Sequence, residues 1–252
     1  MTRFKSVFAY TFNRMIRQLA ATFIIVLLFL VAVPLFFAVI SGTLSEYSIM
    51  DAVRSGVYPM VVGWFLIVIG AETYPQFKMM IQNGVSRLTY WRAKVCAILL
   101  ITFIGTIFNL VYNWVARFSI SGIHLAYSQF FTNPAMNILV DFGFEFLILT
   151  AVAMTAMAVG SILSLFSRRG QFAWIFLTPI ALIVLLIWLI NFQERAGLLD
   201  ETWIVNFLKF LLGFRQQFGH YNPLVPEVTL VIYSGIMAAV SRFFFGQLKI
   251  KK

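Results

Sequence analysis

The chain is short of what a soluble domain depends on. Charged residues fill only 11% of its 252 positions, against about 25% in soluble domains. Nine residues are acidic. The single cysteine, Cys96, excludes an internal disulfide. With only His124 and His220 beside it, no metal-ligand spacing exists. The run G-x-x-x-x-G-K-[ST] is missing, and with it the loop that cradles nucleotide phosphates. No polar stretch is long enough to fold separately, so residues 1–252 form a single domain. There is no internal repeat and no low-complexity tract.

What is there is apolar. Hydrophobic residues reach 61%, and mean hydropathy is +0.90. One soluble core could not hide so much apolar surface, so the bilayer is the solvent. A membrane-crossing helix needs about 20 mainly apolar residues. Six stretches qualify: Leu19–Ser41, Val57–Ala71, Val95–Ala116, Ile138–Phe166, Phe172–Phe192 and Leu224–Phe245. The second is short and borrows from its flanks. The first is too long for a signal-peptide apolar region, and no A-x-A site follows it.

Charge orients these spans. Of the 19 Lys and Arg, only Arg54, Arg117, Arg195, Lys209 and Arg215 fall outside if the N-terminus is inside. The other 14 then face the cytoplasm, the side where short loops collect Lys and Arg. Both termini are therefore expected in the cytoplasm of a multi-pass cell-membrane protein. Glu72 is the sole acidic residue on that side. The net charge of +10 follows from this topology and does not call for a nucleic-acid partner.

Three pieces flank the spans. In residues 1–18, Phe4, Phe8, Phe12 and Met15 recur at helical spacing among Arg and Lys. This predicts an amphipathic helix in the headgroup plane. Residues 193–223 are an outer segment in which Trp203, Ile204, Phe207, Leu208, Phe210, Leu211 and Phe214 predict a short, partly re-entrant helix. Residues 73–94 form an inner loop. There Gln76 to Gln82 continue as helix, and Asn83-Gly84 stops it, because glycine takes the left-handed conformation without penalty. Ser86 then caps a second helix leading into span three. The apolar face Phe77, Met80 and Ile81 is expected to be open to the cytoplasm. The plainer alternative is a solvated connector that fixes topology.

The stretch ETYPQFKMMIQNGVSRLTYWRAK, Glu72 to Lys94, is similar to the first cytoplasmic loop of small ABC-2-type exporter permeases of Gram-positive bacteria. The six-span layout also resembles that family. The resemblance implies an all-α permease subunit that couples to a separate ATPase through Glu72, Phe77, Met80, Ile81, Asn83, Gly84, Ser86 and Arg87. It further implies two permease chains paired with two ATPase chains, with ATP and magnesium bound by the ATPase and no cofactor in this chain.

Polar groups inside spans are costly and mark candidate sites. Asn109 and Asn113, with Gly105, lie on one stripe of span three, near Thr102 and Thr106. Asp141 and Glu145 lie one turn apart in span four, within reach of Arg117. Each set either lines a substrate path or serves packing and anchoring. Ala156, Gly160 and Ser164 form a small-residue stripe suited to close helix packing.

Three function classes follow. The first is an exporter permease for amphipathic or hydrophobic cargo, such as a peptide, antibiotic or lipid-like molecule. The second is a non-transporting sensor or immunity protein that binds a ligand at its outer face. The third, a membrane enzyme, lacks convergent catalytic groups at depth, and no catalytic residue is assigned.

Overall fold

The computed structural model describes residues 2–49, 57–117, 133–196, 201–211, 213 and 222–248. All described regular structure is helical: α1 (Thr2–Ser41), a 3-10 turn (Leu44–Glu46), α2 (Val57–Ala71), α3 (Tyr74–Gln82), α4 (Arg87–Arg117), α5 (Pro134–Leu163), α6 (Arg168–Ala196), α7 (Glu201–Leu211) and α8 (Leu224–Gln247). Four helices are long and apolar enough to cross a membrane, or five if α2 and α3, bent by 47°, count as one broken span. The protein is therefore a helical membrane protein.

The N-terminal piece departs from expectation. It is not a separate helix in the headgroup plane, because α1 runs unbroken for 40 residues. No glycine or proline occurs before Pro34 to interrupt it. At 1.5 Å per residue the helix is about 60 Å long, twice the hydrocarbon thickness. Its first half turns Val7, Thr11, Met15 and Leu19 inward. Phe4, Phe8 and Phe12 pack against the same core, stacking along the helix. The periodicity seen in the sequence thus serves the protein's own core.

That core gathers one end of the bundle. Phe77 of α3, Tyr90 of α4 and Phe245 of α8 form an aromatic triad with ring centroids 5.9 to 6.5 Å apart. Val7 and Met15 of α1 and Leu248 join the same cluster. The start of α1 and the end of α8 therefore meet at this end, called the terminal end below.

Beyond it, α5 is the central helix, packed on α2, α4 and α8, while α1 packs on α4 and α2. The small-residue stripe works as expected. A Cβ at Gly160 would run into the backbone of Ala71, and one at Gly70 would sit 2.8 Å from Ala156 Cβ. Close approach of this kind is what holds helices together in lipid, where burying apolar surface gains little. Among the described residues, α6 has no extended packing partner, and its Phe172, Leu177, Ile180, Val184 and Trp188 are exposed. The predicted short helix before the last span is present as α7. It packs on α8, and the Asn222 N–H donates to the Gly213 carbonyl at 2.6 Å.

Candidate functional site

The richest polar arrangement lies where α2 breaks. Pro75 stands in the first turn of α3. It lacks the N–H that would continue the helix, and its ring clashes with the preceding turn. The last carbonyls of α2 are therefore left without intrahelical partners. Lys94 of α4 takes them. Its Nζ donates to the carbonyls of Gly70 and Glu72, at 2.9 Å each, and to Thr73 Oγ1 at 3.3 Å. All three ammonium protons are used, and the side chain is 0% exposed. The cation also sits at the negative end of the α2 dipole.

Glu72 carries a second layer. Arg14 Nη2 of α1 pairs with its Oε1 at 2.7 Å, and Gln76 Nε2 donates to Oε2 at 3.1 Å. Tyr90 Oη in turn donates to Gln76 Oε1 at 3.3 Å. One network thus ties α1, the α2–α3 break and α4. Sequence reasoning named Glu72 but missed Arg14, Gln76, Tyr90 and Lys94. The available signal was Glu72 itself, a lone carboxylate among many cations and in need of a partner.

The turn that follows has the geometry expected. Gly84 has φ +74°. Its N–H donates to the Ile81 carbonyl, and the Val85 N–H to that of Met80, both at 3.0 Å. These are the two bonds of a Schellman motif. The N–H of Thr89 donates to Ser86 Oγ at 3.1 Å, which makes Ser86 the N-cap of α4. Arg87 Nη1 donates to the Gly246 carbonyl near the C-terminus of α8. Gln82, Asn83, Gly84, Ser86, Arg87 and Leu88 form an exposed tip.

One expectation about this loop is overturned. Phe77 and Met80 do not face outward: Phe77 is 0% and Met80 6% exposed, and Ile81 packs partly against the same core. The amphipathic pattern of α3 is satisfied within the chain by Tyr90 and Phe245. Any partner at this loop meets the polar tip instead.

The intramembrane candidates are joined across two helices. Asn109 Nδ2 of α4 donates to Glu145 Oε1 of α5 at 2.6 Å. Asn109 is buried, and its Oδ1 has no partner among the described residues. Asp141 lies one turn from Glu145 on α5 and is half-buried. Asn113 belongs to α4, but its side chain lies outside the described set, as does that of Arg117. Among the described residues, no group of His, Cys, Asp or Glu could hold a metal ion.

No family model, no curated protein and no solved structure matches the chain.

Proposed function

We propose that this chain is the membrane-spanning permease subunit of an ATP-driven exporter of the ABC-2 type, carrying amphipathic or hydrophobic cargo and driven by a separate ATPase. The observation that carries the proposal is the preset tip at Gly84. It is exposed, closed by a Schellman motif and mounted on the network of Arg14, Glu72, Gln76, Tyr90 and Lys94. A coupling element needs that combination: an accessible contact whose movement passes into several helices at once. Here a push on the tip reaches α1, α2 and α4 through named hydrogen bonds.

Six crossings fit the same proposal. The terminal end gathers the N-terminal half of α1 and the C-terminal end of α8, which fits an even number of crossings. Five crossings come from α1, the α2–α3 pair, α4, α5 and α8. The sixth is α6, whose 29 residues are long enough to span the hydrocarbon. The charge bias of the sequence puts the terminal end in the cytoplasm and α7 at the outer surface. The exposed apolar faces of α6 and of the distal half of α1 then meet lipid and a second permease chain.

The test is co-purification of a P-loop ATPase with this chain from native membranes, with ATP hydrolysis measured on the reconstituted complex. No atom lies within 4 Å of a Cβ built at Gly84. A substitution there therefore strains the backbone alone, by about 1–2 kcal/mol for an ordinary residue and more for a β-branched one. Gly84→Val should weaken ATPase capture, and Gly84→Asn, which tolerates positive φ, should largely keep it. Leu88→Asp at the exposed tip should also weaken capture. If all three variants capture the ATPase as the native chain does, the tip is only a connector.

A further inference from the structure

We propose that the groove walled by α2, α5 and α8 binds single amphipathic molecules that carry one hydrogen-bond donor on an apolar body. The groove measures about 490 Å³ and is lined by Ile67, Ala71, Val159 and Leu230, with Thr155 and Tyr233 as its polar pair. That volume falls within the range of about 300–1,000 Å³ usual for small-molecule sites. It exists because α2 and α5 approach so closely at Gly70 and Gly160 that only small side chains fill the seam between them.

The polar pair has a fixed sense. Thr155 Oγ1 lies 2.7 Å from the Ala151 carbonyl and 2.9 Å from Tyr233 Oη. Threonine has one hydroxyl proton, and the Ala151 carbonyl can only accept it. The bond to Tyr233 must then be made by the tyrosine proton, with Thr155 as acceptor. Tyr233 Oη is left with free acceptor capacity in an apolar wall. The hydrocarbon supplies no water to meet it. A ligand N–H or O–H does so, while its apolar body lies along Val159 and Leu230. An ether or ester without a donor gains nothing there. The site assigns a cargo class to the exporter proposed above and to that extent rests on it, but the binding itself needs no ATPase.

The experiment uses the full chain in phosphatidylcholine nanodiscs, with two photoactivatable probes: a diazirine-bearing hexadecanol and its methyl ether. Mass spectrometry reads the labelled peptides. The alcohol should label the segments around Thr155 and Tyr233 about threefold more than the ether, the ratio of an average membrane hydrogen bond. Tyr233→Phe should bring the two probes to parity. Thr155→Val frees the tyrosine proton, so the ether should gain on the alcohol. Val159→Trp should fill the groove and reduce both labels. Equal labelling in the native chain, or a preference that survives Tyr233→Phe, overturns the proposal. Capture of the ATPase is scored separately. Capture with equal labelling removes the site and leaves the exporter. Selective labelling without capture keeps the site and removes its role as cargo path.

Discussion

The ammonium of Lys94 lies 2.9 Å from the carbonyl oxygens of both Gly70 and Glu72, and among the described residues no carboxylate oxygen comes within 4 Å of it. A lysine from a neighbouring helix thus closes the C-terminus of α2, where glycine or water would close a soluble helix. The arrangement lets a helix stop and turn beside the membrane without stranding its carbonyls. It also makes the 47° bend between α2 and α3 depend on α4.

Lys94→Met keeps the apolar stem and removes the donors. The Glu72 carbonyl then loses its donor, at about 1–3 kcal/mol for a stranded group, while the Gly70 carbonyl keeps the Thr73 hydroxyl at 3.3 Å. The purified variant should melt several degrees below the native protein, and the α2–α3 angle should loosen. Arg14→Met removes an ion pair whose side chains are 30% and 31% exposed. Solvent screening limits that loss to about 1 kcal/mol or less. The ordering, Lys94 well above Arg14, is the check. Equal melting temperatures for the two variants would show that the cap carries no weight.

Much of this was legible in the sequence, for physical reasons. Apolar length marked the four long helices and the bent α2–α3 pair, and Asn83-Gly84 followed by Ser86 marked the turn, because backbone rules at positive φ and at N-caps act locally. The small-residue stripe at Gly160 was also readable, since close packing needs small side chains. What failed was direction. Phe77 and Met80 showed an amphipathic face, but periodicity does not say whether that face meets the protein, the lipid or a partner. The same limit misplaced Phe4, Phe8 and Phe12. Lys94 was counted as a topology signal, because nothing local reveals that a lysine reaches back 24 residues to a carbonyl.

The glycines offer a sharp contrast. A Cβ at Gly160 meets the Ala71 backbone, which cannot rotate away, whereas Gly63 and Gly235 have nothing within 4 Å. Gly160→Ala should therefore force α5 from α2 and lower the melting temperature. Overpacking of this sort costs about 1–3 kcal/mol. The two open sites should gain slightly from alanine, since glycine in a helix interior costs about 0.5–1 kcal/mol. If Gly160→Ala is as harmless as Gly63→Ala, the close approach is wrong.

Orientation can be read by cysteine labelling in intact cells, after Cys96→Ala removes the native thiol. The expected pattern is reaction of an impermeant maleimide with a cysteine at Ser48 and none with one at Gln82. Permeabilised cells should label Gln82 as well, since it is exposed at the tip. Labelling at Gln82 before permeabilisation would reverse the topology and remove any cytoplasmic partner from this face.

Asn109 and Glu145 lie on different helices, α4 and α5, and meet at 2.6 Å. Two roles compete for the pair, and two substitutions separate them. Asn109→Leu strips Glu145 of its donor in a setting with little water to replace it. A membrane hydrogen bond averages about 0.6 kcal/mol and reaches about 1.7. With about 2–4 °C per kcal/mol for a chain of this size, the melting temperature should drop by a few degrees at most. Glu145→Gln retains an acceptor oxygen for Asn109 Nδ2 and removes only the charge. If the pair is structural, Glu145→Gln melts as the native protein does and leaves cargo-stimulated ATP hydrolysis intact. If Glu145 lines a path for cationic groups, the same variant still melts normally but loses that stimulation. A melting temperature for Glu145→Gln as low as that for Asn109→Leu would reject both roles. It would show that the carboxylate is held by something other than Asn109.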